Sequence, residues 1–183
     1  MRPLIVTEFV SLDGVYEEHS PWRAPYDPDD GPFKRDELFA SGALLLGRTT
    51  YEEFAAYWPT ATGAFADRMN ALPKHVATTR PGPLAWNATS LGPDVVAGVQ
   101  ALKAQPGGPL LVYGSGTLAQ TLLRRGLVDE LRLMVFPVVL GRGKRLLDTL
   151  EHLPLTLLDT RSLGAGVLLL TYGPAAAPDG EVR

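Results

Sequence analysis

Two glycine-rich turns in the sequence each follow a short apolar run and lead into a segment with helical character. The first contains Gly47, Arg48, Thr49 and Thr50, and the second contains Gly114, Ser115, Gly116, Thr117 and Leu118. Glycine lets a phosphate approach the backbone, and the start of a helix offers unpaired N–H groups at its positive end. Either turn alone is also explained by packing. Two of them in one chain favour a ligand with more than one phosphate, and a dinucleotide is the simplest choice.

A third polar group stands at the end of another predicted strand, where Thr78, Thr79 and Arg80 follow one another. Two hydroxyls and a guanidinium suit a ribose 2′-phosphate, because an arginine forms strong charge-assisted hydrogen bonds with phosphate oxygens. This group therefore favours NADPH over NADH. The alternative is a solvated strand end before a proline-rich loop.

Acidic side chains that could protonate or orient a polar heterocycle are concentrated near the N-terminus. Asp13 comes directly after the first predicted strand, where active-site loops of α/β folds begin. The long loop and the helix after it hold the others, which are Asp27, Asp29, Asp30, Asp36 and Glu37. We expect most of them to be solvated surface groups. The aromatic residues of the same stretch, Trp22, Tyr26 and Phe33, are candidates for stacking on a flat ring or for packing against the core.

Composition excludes several other classes of protein. The 183 residues include no cysteine, which excludes a disulfide scaffold, Cys-ligated zinc and thiol catalysis. The three histidines have no partners at ligand spacing, so no metal site is predicted. The net charge of −3 argues against nonspecific nucleic-acid binding. Because there is neither a signal peptide nor a membrane-length apolar run, we expect a cytoplasmic protein without a membrane partner.

The elements that would position these residues alternate between strand and helix through the first two-thirds of the chain. We predict strands at 4–10, 43–46, 74–79, 110–113 and 129–140, helices at 33–41, 49–58, 65–72, 94–105 and 116–125, and a closing hairpin at 153–172. Two capping boxes, Thr49-x-x-Glu52 and Thr50-x-x-Glu53, are predicted to open the second helix. Residues 14–32 are predicted to be an irregular loop. The pattern indicates an α/β fold with an antiparallel addition at one edge.

Five motifs stand together in an order that identifies a family. They are Val10-Ser11-Leu12-Asp13-Gly14, Leu45 to Glu52, Val112 to Leu118, Val128 to Leu133, and Pro137 to Leu146 with its basic loop Gly141-Arg142-Gly143-Lys144-Arg145. Together they resemble the dihydrofolate-reductase-like family, which includes the C-terminal reductase domain of the bifunctional riboflavin-biosynthesis deaminase-reductase. The resemblance covers about residues 3–173.

This resemblance implies a three-layer fold, with a mixed, mainly parallel central sheet, flanking helices and a C-terminal antiparallel hairpin. It implies one reductase domain over residues 1–173 and NADPH bound across the strand ends. Residues 174–183 after this domain are small, polar and proline-bearing, and this composition predicts a disordered tail. In such an enzyme the first turn, with Arg48, Thr49 and Thr50, would hold the pyrophosphate side of NADPH. Residues Thr78 to Arg80 would hold the adenosine-ribose side, and the turn from Gly114 to Leu118 would be the second turn that binds phosphate. Asp13 matches the substrate-side acid of riboflavin-type reductases, and Asp27 competes with Asp29 and Asp30 for the role of the dihydrofolate-reductase acid. The family often forms homodimers.

Three functions follow from these observations. The first is a stand-alone NADPH-dependent reductase that delivers hydride to a C=N or C=O of a pterin- or pyrimidine-like compound. It is expected to be stand-alone because no deaminase domain precedes it and cysteine is lacking. The second is a nucleotide-binding module that kept the fold without turnover. The third is a Rossmann-like dehydrogenase, which fits poorly because its glycine motif comes late and no acid follows about 20 residues onward.

Overall fold

The fold is that of a computed structural model, which describes residues 1–26, 31–80 and 82–175. Its strands are β1 (Leu4–Ser11), β2 (Ala43–Gly47), β3 (Lys74–Ala77), β4 (Ala88–Ser90), β5 (Leu110–Tyr113), β6 (Glu130–Phe136), β7 (Leu155–Ser162) and β8 (Leu168–Pro174). Its helices are α1 (His19–Arg23), α2 (Gly31–Ala40), α3 (Arg48–Tyr57), α4 (Ala64–Ala71), α5 (Val95–Ala104) and α6 (Gly116–Arg124).

One eight-stranded sheet organises these elements in the order β4-β3-β2-β5-β1-β6-β8-β7. The six strands from β4 to β6 are parallel, whereas β8 pairs antiparallel with β6 and β7 antiparallel with β8. The closing hairpin is therefore confirmed. Because β5 lies between β1 and β2, the order also differs from the Rossmann arrangement, in which consecutive strands lie side by side at the start of the sheet.

Apolar side chains on both faces of the parallel strands hold helices against the sheet. Residues such as Val6 and Val112 face α5 and α6, whereas Leu46 and Leu111 face α2, α3 and α4. Parallel strands that are buried on both faces have continuous apolar sequences. For this reason β2 and β5 could be predicted from the four-residue apolar runs at 43–46 and 110–113. The mixed, mainly parallel three-layer fold is thus confirmed.

The end of α6 shows how closely one local pattern determines the backbone. Gly126 has a φ of 62°, its N–H donates to the Leu123 carbonyl, and the Leu127 N–H donates to the Leu122 carbonyl. These two bonds are those of a Schellman motif, which the Gly126-Leu127 pair predicts.

Other local predictions were wrong. The capping boxes do not form, because α3 begins at Arg48 and the residue before it, Gly47, takes the capping position. The predicted loop at 14–32 contains the short helix α1, and β4 was not predicted. The strand predicted at 129–140 ends at Phe136, one residue before Pro137, which cannot donate to a ladder. β8 reaches Pro174, and residues 176–183 of the predicted tail lie outside the described residues.

Lys74 is a fully buried cation at the amino end of β3. Its Nζ donates to the Asn70 carbonyl at 2.8 Å and lies 4.0 Å from the centre of the Trp86 ring. Burial lowers the pKa of Lys74 to about 8, because desolvation disfavours the charged form. The carbonyl and the ring compensate only part of that cost.

We predict that Lys74→Met changes the pH dependence of stability. Between pH 7 and 9 the folded protein loses the Lys74 proton while the unfolded chain keeps it, so this lysine makes the wild type more stable as pH rises. The difference in free energy of unfolding, wild type minus Lys74→Met, should increase by about 1 kcal/mol from pH 7 to pH 9. Urea denaturation at the two pH values measures the difference, and a constant difference would contradict the prediction.

Candidate active site at the carboxyl ends of the parallel strands

The chain leaves the neighbouring strands β2 and β5 in opposite directions at their carboxyl ends, and we call the point between these two ends the crevice. From β2 it enters α3 on one face of the sheet and goes on to β3, whereas from β5 it enters α6 on the other face and goes on to β6. Ligands of open α/β sheets bind at such a point. Both glycine-rich turns predicted to bind phosphate are located here.

The two turns are in direct contact. The Gly47 N–H donates to Ser115 Oγ at 2.9 Å, and that hydroxyl also contacts the Tyr113 carbonyl at 3.2 Å. Gly114 has a φ of 56°, and a Cβ added to it would be 3.4 Å from the Thr50 side chain. Glycine is therefore needed for a left-handed backbone that passes close to the other turn.

Both helices that start at the crevice begin without a side-chain cap among the described residues. The capping residue of α3 is Gly47, and that of α6 is Ser115, whose φ is 65° and whose hydroxyl contacts the other turn instead. In α5, by contrast, the Asp94 carboxylate accepts from the Ala97 N–H. The N–H groups of the first turns of α3 and α6 thus lack the partner that capping would supply. Thr49 and Thr50 lie in that first turn of α3.

Tyr16 partly covers the second turn. A Cβ on Gly116 would lie 2.3 Å from the Tyr16 ring, so the ring rests on the first residue of α6. Burial raises the pKa of the Tyr16 hydroxyl, with further contributions from Glu17 and Glu8. Of the predicted residues in this turn, Leu118 is buried in the core and can offer only its backbone N–H.

Two arginines predicted to bind the cofactor meet on one carboxylate. Glu52 Oε1 accepts from Arg48 Nε at 2.7 Å and lies 3.3 Å from Arg80 Nη1. These contacts, of which the bond from Arg48 is the strongest, lower the pKa of Glu52. Thr78 Oγ1 accepts from the Arg80 N–H at 3.1 Å, which shapes the turn after β3, and Thr79 is exposed beside it. Glu52 was missed as a site residue because its sequence position indicated only a helix cap.

Asp13 is bound to the loop after β6. Its carboxylate accepts from Ser11 Oγ and from the N–H groups of Leu140 and Gly141, at 2.7, 3.1 and 2.9 Å, and Arg145 lies 3.3 Å away. The Ser11 hydroxyl and the two backbone donors hold the pKa of Asp13 well below its usual range. The carboxylate is therefore ionised near neutral pH. Asp27, Asp29 and Asp30 lie outside the described residues.

The same two loops are joined at further points, which we call the loop clasp: residues 11–17 against residues 138–146. Val15 forms a bridge with Arg145, and the Tyr16 N–H donates to the Lys144 carbonyl at 3.1 Å. Glu17 pairs with Lys144 and accepts from its N–H at 2.9 Å. The basic loop 141–145 is thus a partner of the loop after β1.

An aromatic cluster lies on the α2 face beside β1. The rings of Phe9, Trp22 and Tyr26 meet the Phe136 ring edge-on, with centroids 6.0, 5.4 and 5.9 Å away. Trp22 and Tyr26 thus pack against the core, one of the two alternatives considered. Next to the cluster, the Lys34 ammonium lies 3.9 Å from the centre of the Tyr113 ring.

A buried ionic group borders the aromatic cluster. The Glu37 side chain is 1% exposed and pairs with Lys34 at 2.8 Å and Arg132 at 3.0 Å. Arg132 also contacts Glu130 at 2.6 Å. Glu37, one of the acids noted in the sequence, is therefore an internal partner for two cations.

Two neighbouring residues of β1 carry buried polar atoms with no hydrogen-bond partner in the described part of the chain. They are Thr7, through Oγ1, and Glu8, through Oε1. Burial raises the pKa of Glu8 to about 8, against the opposing charge of Lys34. Glu8 was missed in the sequence, although a lone acid within an apolar strand was a visible signal.

None of the helices in the described part of the chain is long and apolar enough to cross a membrane. Within the same residues, no three His, Asp or Glu side chains come together as they would to hold a metal ion.

Comparison with known proteins gives relatives along the whole chain. The protein YyaP of Bacillus subtilis, itself uncharacterized, is 29% identical over 180 residues, which cover 93% of this chain and 94% of YyaP. A putative riboflavin biosynthesis protein from Shewanella sp. PV-4 has the same fold, with a TM-score of 0.76, 19% identity and coverage of 95% and 99% of the two chains.

Dihydrofolate reductase from Enterococcus faecalis, solved in complex with NADP(H), also shares the fold. Its TM-score is 0.61 at 16% identity, and the match covers 95% of this chain and 97% of that one. The family model of the RibD C-terminal domain matches residues 2–169. With that match over nearly all of its length, the chain belongs to the RibD C-terminal domain family.

Proposed function

We propose that this protein is an NADPH-dependent reductase that transfers hydride to a C=N or C=O group of a pterin- or pyrimidine-like substrate. The convergence of two uncapped helix starts and two arginines on one crevice carries the proposal. In that crevice Gly47 contacts Ser115, and Arg48 and Arg80 share Glu52. Membership of the RibD C-terminal domain family supports a reductase-type function.

The residues around the crevice fit a dinucleotide phosphate in three respects. The first turn of α3, with Arg48, Thr49 and Thr50, and the turn from Gly114 to Leu118 would hold the pyrophosphate. The end of β3, with Thr78, Thr79 and Arg80, would hold the 2′-phosphate. Arg48 and Arg80 already bind one anion, the Glu52 carboxylate, so the two guanidinium groups are positioned to bind negative charge. When bound, NADPH supplies the hydride, and the protein supplies orientation and electrostatics.

The substrate would lie on the α2 face, next to the aromatic cluster. The rings of Phe9, Phe33 and Tyr113 lie there. Lys34 places positive charge beside all three rings, and Arg132 places it beside Phe33. A flat heterocycle with carbonyl oxygens suits this combination, since aromatic faces pack on its ring and the cations attract its oxygens. This arrangement favours a pterin or a pyrimidine over an aliphatic substrate.

For the acids, we propose different roles. Asp13 is ionised and fully engaged by its donors, so it acts as a positioning residue that fixes the loop clasp. Asp27 remains the proposed catalytic acid, since it comes shortly before α2 in the sequence. Which acid acts can be decided by comparing Asp13→Asn and Asp27→Asn in single-turnover assays.

The test of the function is NADPH oxidation by the purified protein with a panel of pterins, folates and ribosylaminopyrimidines. We expect absorbance at the nicotinamide band to fall with at least one of them and to fall more slowly with NADH. Tight NADPH binding with no turnover on the panel would instead favour the non-catalytic binding module. No binding of either cofactor would overturn the proposal.

We predict that Arg80→Leu weakens NADPH binding about tenfold and leaves NADH binding nearly unchanged, because only NADPH carries the 2′-phosphate.

Glu52→Gln should strengthen NADPH binding several-fold, because the carboxylate no longer competes for the two arginines. Both affinities can be followed by titration of tryptophan fluorescence.

The matched control for Arg80→Leu is Arg125→Leu. Arg125 is exposed at the opposite end of α6, so its removal makes the same change in net charge away from the crevice. An equal loss of NADPH and NADH affinity in Arg80→Leu would contradict the assignment to the 2′-phosphate.

We predict that Asp13→Asn lowers the melting temperature at pH 7, because two backbone donors and Arg145 lose a charged acceptor. The pKa of Asp13 is depressed in the folded protein, so its stabilisation is complete above about pH 4 and is lost as pH falls below that value. The difference from wild type should therefore shrink in acid.

Asp159→Asn is the control, since Asp159 forms an exposed pair with Arg161, and such pairs contribute little. Turnover lost in Asp13→Asn with an unchanged melting temperature would refute the positioning role.

We also propose that the protein is a homodimer that pairs through its closing hairpin. β7 is the edge strand of the sheet, and Leu157 and Leu158 on it are 53% and 57% exposed. Leu168 on β8 is 41% exposed. We predict a dimer in sedimentation velocity and a monomer for Leu158→Asp with an unchanged melting temperature; a monomeric wild type would contradict this.

A further inference from the structure

Glu8 occupies the one position of β1 that is adjacent to the end of β5. The last residue pair between these strands is Thr7 with Tyr113, so β5 gives way to the Gly114 turn beside Glu8. On its other side Glu8 is in register with Leu133 of β6. The side chain is 5% exposed, and its Oε1 atom has no hydrogen-bond partner among the residues described. A buried polar atom of this kind costs free energy unless a partner is supplied.

Glu8 lies on the face of the sheet that α6 covers. Val6 and Val10, two positions away on either side, pack with α6, and so does Leu133. Glu8 also acts electrostatically on Tyr16, whose ring covers Gly116. Thr7 alternates to the opposite face, which carries Tyr113 and the proposed substrate pocket. Glu8 therefore points away from the aromatic cluster.

The strand order then indicates which part of a dinucleotide would lie near Glu8. The pyrophosphate is assigned to the crevice between β2 and β5. β3 flanks this crevice on one side and is followed by the turn that contains Arg80, whereas β1 flanks it on the other side and contains Glu8. If the adenosine half lies toward Arg80, the nicotinamide half extends toward β1. The group that it brings there is a primary amide, with one oxygen acceptor and an N–H donor.

We propose that the Glu8 carboxyl binds the carboxamide of the nicotinamide ring, donating its O–H to the amide oxygen and accepting from the amide N–H. This inference rests on the proposed function and assigns a positioning residue for the cofactor ring. A neutral carboxyl has one donor and one acceptor side by side, which matches a primary amide. Burial keeps this carboxyl protonated up to a pKa of about 8, so the donor is present at neutral pH.

The decisive probe compares NADPH with its reduced 3-acetylpyridine analogue, in which a methyl group replaces the amide nitrogen. The wild type should bind the analogue about tenfold more weakly, because the acetyl group cannot donate a hydrogen bond. Glu8→Leu should bind both cofactors equally, with NADPH weakened about tenfold. Glu8→Gln keeps a donor and an acceptor and should retain the discrimination. Tryptophan fluorescence measures each dissociation constant without any substrate.

Thr7→Val is the matched control, because it removes the neighbouring unpartnered group on the opposite face of the same strand. It should keep the discrimination between the two cofactors. Glu8→Leu should melt at or above the wild-type temperature, since it removes a buried polar group. Unchanged NADPH affinity and unchanged discrimination in a folded Glu8→Leu variant would overturn the inference.

A pH series gives a second, independent readout. Wild-type affinity for NADPH should fall about tenfold between pH 7 and 9 as the Glu8 proton is lost, and that of Glu8→Gln should not. The other titratable groups near Glu8 are Tyr16 from the loop after β1 and Lys34 from α2, and both are shared by the two proteins. A flat wild-type profile would overturn the inference. If the wild type binds neither cofactor at any pH, the proposed function itself fails.

Discussion

The opposite departures of the chain from β2 and β5 are the constraint on which the site depends. Helices α3 and α6 must cover opposite faces of one sheet, so neither can cross above the gap between these two strands. Across this gap the Gly47 N–H donates to the Ser115 hydroxyl, and Gly114 passes close to the Thr50 side chain. The starts of α3 and α6 thus meet at the gap between the ends of β2 and β5, which neither helix covers. The residues proposed to bind the pyrophosphate follow from that geometry.

How far the sequence predicts this arrangement depends on the range of the interactions involved. Leu44 to Leu46 and Leu110 to Val112 form continuous apolar runs before a glycine, and such local patterns identify buried strands and the turns after them. β4 has only three residues, and α1 has five, so neither is long enough for its hydrophobic pattern to repeat twice. Both form because tertiary neighbours are present. Local rules have no access to that information.

The residues of the candidate site also differ in whether a local sequence pattern identifies them. Gly114 and Arg48 could be identified because a glycine turn before a helix is a local signal with a physical meaning. Glu52 and Glu8 could not be assigned, because the importance of each depends on distant residues. Glu52 matters through Arg80, which is 28 positions away, and Glu8 through the end of β5. An acid in an apolar strand is visible in the sequence, but its lack of a partner is visible only in the fold.

The loop clasp also constrains how this protein can diverge. Asp13 and Glu17 are matched to backbone N–H groups at 140, 141 and 144, so each loop takes its shape from the other. An insertion in either loop would leave a charged acceptor or several donors unmatched. Changes in one loop therefore persist only together with changes in the other. In related sequences the two segments should vary as a pair, and a loop exchange on this sheet should keep the clasp intact only when both segments are replaced together.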